Sequence, residues 1–191
     1  MRLSKTWSAA LSALLLSACA ALAPEPRQPA AAPFDLLGRV LVSYDGRAFS
    51  SNVRWQHTAQ GDEIWLMSPA GQTLAHIVRA DDGAVLTAAD QQQYRAGSVE
   101  SLTRRALGWE LPLDRLQHWV RGQAAPGSVP DALERDAGQR PAVLVQDGWR
   151  IAYVNYPPEQ HDGLPRRLDL ASGAQTIRLV IDDWRSTIPA P

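Results

Sequence analysis

The stretch Gly38–Trp55, with the sequence GRVLVSYDGRAFSSNVRW, decides the fold of this chain. Mostly apolar side chains recur at every second position on both sides of the pair Asp45-Gly46. The alternating positions are Val40, Val42 and Tyr44 before the pair, and Phe49, Ser51, Val53 and Trp55 after it. A period of two indicates a strand with one buried face, and Asp-Gly is typical of the tight turn between antiparallel strands. The sequence therefore predicts a hairpin with one face in a core.

Similar strand patterns continue along the chain. The predicted strands are Glu63–Met67, Thr73–Arg79, Ala84–Ala88 and Gln93–Arg95, then Ala142–Val145, a strand with Trp149, Ile151 and Tyr153, one with Leu168 and Leu170, and a last one with Ile177, Leu179 and Ile181. Residues 123–141 are rich in Pro and Gly but long for an unstructured loop, so we expect part of them to pair as an irregular strand. Neither an internal repeat nor a second domain is evident.

The pattern changes to a helical period between residues 98 and 122. Ser98 is a predicted cap of a first helix that Gly108 ends, and Pro112 is predicted in the first turn of a second helix that Gly122 ends. The apolar faces of these helices are Val99, Leu102 and Ala106, and Leu113, Leu116, Trp119 and Val120. About ten strands with two short helices predict a curved antiparallel sheet whose concave face the helices cover.

The first 19 residues predict export from the cytoplasm. Arg2 and Lys5 precede an apolar run that is too short to span a bilayer, and Leu16-Ser17-Ala18-Cys19 follows it. This end resembles the bacterial lipobox, which implies cleavage before Cys19, lipidation of its thiol and, because Ala20 is not Asp, an outer-membrane destination on the periplasmic face. The alternative is a soluble periplasmic protein with a buried free cysteine.

Charge and length limit the class of protein. Loss of residues 1–18 reduces 191 residues to 173 and 19 basic side chains to 17 against 20 acidic ones, a net charge of −3, which gives no basis for nucleic-acid binding. The Ala/Pro-rich segment that ends at residue 33 is typical of a spacer. We therefore expect a signal peptide at 1–18, a lipidated terminus and tether at 19–33, and a folded domain at 34–191.

Several short sequence motifs, in this order along the chain, resemble those of the LolB family of outer-membrane lipoprotein receptors. The motifs are Leu37-Gly38-Arg39, Trp55-Gln56, Ser68-Pro69-Ala70-Gly71, Leu107-Gly108-Trp109, Leu111-Pro112-Leu113, Trp119-Val120-Arg121-Gly122, Gly148-Trp149 with Tyr153 and Tyr156, Leu164-Pro165, and Ile181 to Trp184. The resemblance implies a mainly β (α+β) fold, an incomplete and curved antiparallel β-barrel of about ten or eleven strands with short helices as a lid over an apolar cavity. It also implies that a monomer accepts acylated lipoproteins from the periplasmic carrier LolA and inserts them into outer-membrane lipid.

Two sets of residues are implied as sites. The acyl-chain cavity would comprise the inward apolar candidates Val40, Val42, Phe49, Val53, Trp55, Ile64, Leu66, Leu74, Leu102, Leu116, Trp119, Ile151, Ile177, Leu179 and Ile181. The alternative is that these residues form a dry core. The membrane-insertion loop would be Ser68, Pro69, Ala70 and Gly71, where Ala70 occupies the position of an exposed leucine in the family. Leu66 and Met67 are expected to supply apolar surface near this loop. The alternative is a tight hairpin connection in which Pro and Gly serve the turn geometry.

Catalytic and metal chemistry is not expected. His57, His76, His118 and His161 lie on different predicted elements without metal-ligand spacing, and the pairs Asp81-Asp82 and Asp182-Asp183 fall at a turn and a strand end. We therefore predict no enzyme activity, no cofactor and no bound metal. The competing function is that of a structural or assembly lipoprotein that binds a protein partner through its sheet without carrying lipid.

Overall fold

The computed structural model describes residues 31–156 and 163–185. The strands are β1 (Phe34–Tyr44), β2 (Arg47–Thr58), β3 (Gly61–Met67), β4 (Thr73–Ala80), β5 (Gly83–Ala88), β6 (Gln93–Ala96), β7 (Ala132–Arg135), β8 (Pro141–Gln146), β9 (Trp149–Asn155), β10 (Arg167–Ser172) and β11 (Gln175–Arg185), and the helices are α1 (Val99–Leu107) and α2 (Leu113–Trp119). The predicted signal peptide, Cys19 and His161 lie outside the described residues.

All eleven strands belong to one antiparallel sheet in the order β6-β5-β4-β3-β2-β1-β11-β10-β9-β8-β7. The first and last strands of the chain pair at its centre, and β6 and β7 are its two edges. Both helices lie in the connection between these edges, where they cover the concave face. The predicted curved, incomplete barrel with helices over it is therefore confirmed, and β7 is the irregular strand expected within residues 123–141.

The hairpin of β1 and β2 forms as predicted. Asp45 and Gly46 both have positive φ, 46° and 71°, which suits a two-residue turn between twisted strands. Val42 pairs with Phe49 and Val40 with Ser51, so the alternating positions of the two strands share one face. That face belongs to the core, in which Val42 is fully buried.

β1 begins at Phe34, four residues earlier than its pattern indicates. Phe34, Asp35 and Leu36 are all buried, and the register with β11 shifts between Leu37 and Gly38. The unpaired residue of this bulge is Asp182 in β11, and the buried positions of β1 stay in phase on both sides of Gly38, which interrupts the apolar pattern only because it has no side chain. A Cβ at Gly38 would lie 2.2 Å from the carbonyl oxygen of Val180, so only glycine permits this close approach of β1 to β11.

The helix ends follow local chemistry. The Ser98 hydroxyl accepts a hydrogen bond from the Ser101 N–H at 3.2 Å and caps α1. Gly108 ends α1 in the left-handed conformation with φ of 81°. Pro112 precedes α2 instead of lying in its first turn, because its ψ of 64° is not helical. We define the lid as residues 99–119, that is, both helices and the link between them.

Candidate functional site: an apolar void beneath the lid

A small void lies between the sheet and the lid. Its volume is about 40 Å³, and every residue that lines it is apolar. The lining residues are Leu36, Val40, Val53, Trp55, Ile64, Leu66, Ile77, Ile177 and Leu179 from the sheet and Trp109, Leu111, Leu113 and Leu116 from the lid. Since a cavity of roughly 150 Å³ is needed to hold benzene, no acyl chain fits while the lid stays in this position.

The structure divides the fifteen predicted cavity residues into groups. Eight line the void: Val40, Val53, Trp55, Ile64, Leu66, Leu116, Ile177 and Leu179. Five are buried in the core beyond it: Val42, Leu102, Trp119, Ile151 and Ile181. Phe49 is half-buried and packs against the edge of the core.

The expected inward orientation of Leu74 needs correction. Leu74 is half-buried, and the buried positions of β4 are Ala75 and Ile77. A register shift between Leu66 and Met67 pairs Met67 with Thr73 and Leu66 with Ala75, so Leu74 is left without a partner at a bulge. The alternation before and after this bulge is out of phase, which the sequence pattern does not reveal.

Five void-lining residues were missing from the predicted set: Leu36, Ile77, Trp109, Leu111 and Leu113. Leu36 is separated from the recognised pattern by Gly38, and Ile77 follows the bulge at Leu74, beyond which the buried positions of β4 are 75 and 77. Trp109 and Leu111 lie in the link between the helices, where no periodicity distinguishes an inward from an outward side chain. Leu113 was recognised on the apolar face of α2, which was the available signal for it.

Hydrogen bonds to the sheet hold the middle of the lid, where α1 ends and the link begins. The Tyr44 hydroxyl donates to the Leu107 carbonyl oxygen at 2.9 Å. The Gln175 side-chain amide donates to the Glu110 carbonyl oxygen at 2.6 Å and accepts from the Glu110 N–H at 3.2 Å. These bonds satisfy backbone groups where α1 has ended and the link begins.

The end of the lid is held by buried side chains. The Trp119 indole N–H donates to Gln146 Oε1 at 2.9 Å, and the same Gln146 amide bonds both the N–H and the carbonyl oxygen of Ala125. The Tyr153 hydroxyl donates to the Trp119 carbonyl oxygen at 3.0 Å. Burial raises the pKa of Tyr153, so this hydroxyl stays protonated and remains a donor.

A buried polar cluster closes one end of the core beside the void. Asp62 accepts from Trp55 Nε1 at 2.7 Å, lies 2.8 Å from His57 Nδ1 and forms an ion pair with Arg79. Burial alone would raise the pKa of Asp62, but the bonds from His57 and Trp55 and the charge of Arg79 together lower it. Arg79 also approaches Asp114 of α2 at 3.6 Å, which links this cluster to the lid.

The β3–β4 connection is a compact exposed loop. The Gly71 N–H donates to the Ser68 carbonyl oxygen at 2.9 Å, and the Ser68 N–H donates to the Gln72 carbonyl oxygen at 2.8 Å. Gly71 has φ of 81°, and Pro69 and Ala70 project into solvent at the tip. Leu66 supplies no surface here, because it is buried in the void wall, whereas Met67 is half-buried on the outer face.

The histidines share no site. His57 is buried in the Asp62 cluster, His76 stacks on Trp65 on the outer face with ring centroids 5.0 Å apart, and His118 is buried in α2. Within residues 31–156 and 163–185, no three His, Cys, Asp or Glu side chains are placed to hold a metal ion together. No helix in that part of the chain has the length and apolar character to cross a membrane.

Solved structures with this architecture define the class of fold. A LolA superfamily protein from Nitrosomonas europaea matches with a TM-score of 0.50 at 12% identity, over 85% of this chain and 90% of that one. A DUF1329 family protein from Desulfovibrio piger matches with a TM-score of 0.51 at 8% identity, over 83% and 87%. The open sheet with a helical lid is thus a fold that this chain shares with a LolA superfamily protein.

Sequence comparison then identifies the family. The family model for outer membrane lipoprotein LolB matches residues 32–184. An outer-membrane lipoprotein LolB from Azoarcus sp. is 39% identical over 96% of this chain and 98% of its own length, and one from Nitrosomonas europaea is 42% identical over 80% and 73%. The chain belongs to the LolB family of outer-membrane lipoproteins, which is not a family of enzymes.

Proposed function

We propose that this protein accepts acylated lipoproteins from the periplasmic carrier LolA, holds their acyl chains under the lid and inserts them into the outer membrane. The observation that carries the proposal is the wholly apolar void between sheet and lid. Each CH₂ group transferred there from water is stabilised by roughly 0.8 kcal/mol, and no polar side chain of the wall needs a partner. Membership of the LolB family supports the destination.

Loading requires the lid to move. The void holds about 40 Å³, and four of its lining residues belong to the lid. The central contacts of α2 with the rest of the protein include two ion pairs at its surface, between Asp114 and Arg79 and between Arg115 and Asp147. Such pairs contribute little to stability. Displacement of Trp109–Leu116 would enlarge the apolar space, and the entering acyl chain would replace the apolar contacts that these buried residues lose.

The anchor and the loop complete the proposal. Lipidated Cys19 would keep the domain at the periplasmic face of the outer membrane, because several acyl chains anchor stably where one does not. The exposed Ser68–Gly71 loop would approach the bilayer during insertion. No nucleotide or metal is consumed in this scheme, and the protein acts as a monomer.

A matched pair of substitutions tests the cavity. Val53→Phe adds volume inside the void, and Ile151→Phe adds the same kind of side chain to a fully buried part of the core that does not line it. Both changes should reduce stability by about 1–3 kcal/mol. Only Val53→Phe should reduce the transfer of a radiolabelled lipoprotein from LolA, by at least tenfold.

The assay also discriminates the competing function. Equal transfer by the two folded variants would mean that acyl chains do not occupy this space. A folded parent protein that takes no lipoprotein from LolA would favour a structural lipoprotein that binds a protein partner without carrying lipid.

A further inference from the structure

An apolar groove runs along the outer face of the sheet beside the Ser68–Gly71 loop. It has a volume of about 280 Å³, and its walls include Leu41 of β1, Val180 of β11 and Pro69 of the loop. Leu41 is 38% exposed, which makes it one of the most exposed large apolar residues on the described strands. Two arginines, Arg39 and Arg178, line the same groove. Apolar and cationic groups therefore meet next to the loop tip.

The surrounding face is positively charged in a protein that is otherwise acidic. Arg167 and Arg178 both bond the single carboxylate of Asp169, at 2.7 Å and 2.8 Å, so one positive charge of the three groups is not balanced. Arg150 on β9 has no carboxylate partner among the described residues. Arg39 pairs with Asp182 at 2.8 Å, and both side chains are about half exposed. We call Arg39, Arg150, Arg167 and Arg178, with Asp169 and Asp182, the arginine face.

We propose that the arginine face and its groove form a membrane-contact surface that binds the phosphate headgroups of phospholipids while the adjoining loop approaches the acyl region. Guanidinium groups bind phosphate oxygens through two parallel hydrogen bonds, and the exposed ion pairs with Asp169 and Asp182 are weak enough to exchange. Leu41 and Pro69 would lie at the boundary between headgroups and hydrocarbon. This proposal rests on the proposed function in one respect only, namely that the Ser68–Gly71 loop faces the bilayer.

The length of the preceding chain is compatible with this orientation. The carbonyl oxygen of Ala31 lies 3.3 Å from His57 Nε2 at one end of β2, whereas the loop bonds Asn52, five residues along the same strand. The loop and the start of the described chain are thus about 17 Å apart along β2. The 12 steps from Cys19 to Ala31 span at most about 40 Å, so a lipid anchor at Cys19 leaves the loop end free to face the membrane.

A single fluorescent label tests contact directly. Cys19 is the only cysteine, so a mature chain with Cys19→Ala accepts one engineered thiol without competition. An environment-sensitive fluorophore attached through Leu41→Cys should shift to the blue with vesicles of phosphatidylethanolamine and phosphatidylglycerol. The same fluorophore attached through Gln93→Cys on the edge strand β6 should not shift. Equal shifts at both positions, or none at position 41, would overturn the proposal.

Charge substitutions test the role of the arginines. Arg39→Gln with Arg178→Gln should weaken vesicle binding by about thirtyfold, since each arginine near an anionic surface contributes a roughly fivefold change in affinity. The control, Arg95→Gln with Arg104→Gln, removes the same charge from β6 and α1. An equal loss in both double variants would mean that only net charge matters and would overturn the assignment.

The two proposals fail in different ways. Lipoprotein acceptance from LolA should be unchanged in the Arg39/Arg178 variant, because the groove and the void are on opposite faces of the sheet. Loss of acceptance with vesicle binding intact would instead make the arginine face a docking site for the carrier and would overturn the lipid assignment. Vesicle binding that depends on the two arginines, in a parent protein that accepts no lipoprotein, would refute the proposed function and leave the membrane surface supported.

Discussion

Asp62 keeps an ionised carboxylate inside the core. Its hydrogen bonds from Trp55 and His57 and its ion pair with Arg79 more than offset the cost of burial, and its pKa is lowered. Asp169 also bonds two arginines but lies at the outer face, where water screens the pairs. A carboxylate paired with arginine therefore contributes more to the free energy of unfolding at position 62 than at position 169.

Asp62→Asn should destabilise the protein by about 3 kcal/mol at neutral pH, because it leaves Arg79 without its buried counter-charge. A carboxylate with a lowered folded-state pKa contributes stability above its unfolded pKa of about 3.9 and loses it as the pH falls through the folded pKa. The difference between parent and variant should thus narrow below about pH 4. Urea unfolding at several pH values measures this, with Asp169→Asn, expected to cost at most about 1 kcal/mol, as the control.

Equal losses from the two substitutions would contradict the energetic role given to the buried cluster. So would a difference between parent and Asp62→Asn that stays constant from neutral to acid pH.

Ala70 is the loop position at which the resemblance to the family implies an exposed leucine. If insertion needs an apolar tip, Ala70→Leu should increase insertion several-fold, because added apolar area at roughly 25 cal/mol per Å² contributes on the order of 1 kcal/mol. Ala70→Glu should decrease insertion, since an ionised carboxylate resists transfer into hydrocarbon. A two-step assay scores transfer from LolA and incorporation into liposomes separately, and the first step should hardly change. Equal incorporation by all three side chains would leave the loop a hairpin connection only.

The lid is an element attached by hydrogen bonds at its middle and at its C-terminal end. Tyr44 and Gln175 hold backbone groups near the end of α1, and Gln146 with Tyr153 holds the end of α2. The residues between these attachments contribute Trp109, Leu111, Leu113 and Leu116 to the void. Opening is consequently controlled by a few hydrogen bonds together with the apolar contacts beneath them.

Gln175→Ala removes both hydrogen bonds to Glu110. Two such bonds contribute on the order of 2 kcal/mol, so amide hydrogen exchange in residues 108–116 should become roughly thirtyfold faster, and uptake of a fluorescent fatty acid should be faster too. Mass-spectrometric hydrogen exchange measures the first effect. The control is Gln117→Ala, because Gln117 bonds only Asp114 within its own helix. Unchanged exchange in Gln175→Ala would show that apolar packing alone holds the lid.

At the scale of the whole molecule, one core beneath the lid unites the described residues. The sheet begins at Phe34, and its core is contributed by the strands and the lid. Ala31 is the first described residue, and its contact with His57 lies at one end of the core. Under the proposed function, lipidated Cys19 would determine where the domain resides, whereas the sheet and lid would determine what it holds.

Mass spectrometry of the native protein should find a lipid-modified Cys19 at the mature N-terminus. Cys19→Ala behind a cleavable signal should give a soluble protein with an unchanged melting temperature that still binds acyl chains. An unmodified terminus elsewhere would contradict the anchoring. A folded Cys19→Ala protein that binds no acyl chain would contradict the cavity.

The sequence by itself determined the strands, the helices and the family. Alternation around Asp45-Gly46, the Ser98 cap and the Gly108 stop are local signals, because they depend on backbone geometry within a few residues. The irregular strand within residues 123–141 was also predicted, because this segment is long for an unstructured loop. The order of short sequence motifs identified the family that the comparisons confirm.

Only the tertiary structure decided which apolar residues surround the void and which merely fill the core. Bulges at Asp182 in β11 and at Leu74 in β4 shift the side-chain phase, and both are set by the register with the paired strand. Arg39 meets Asp182 across 143 positions, and the arginine face exists because β1 and β11 pair at the centre of the sheet. A strand pattern states that one side is buried, but curvature and register determine what lies opposite it, since these arise from contacts distant in sequence.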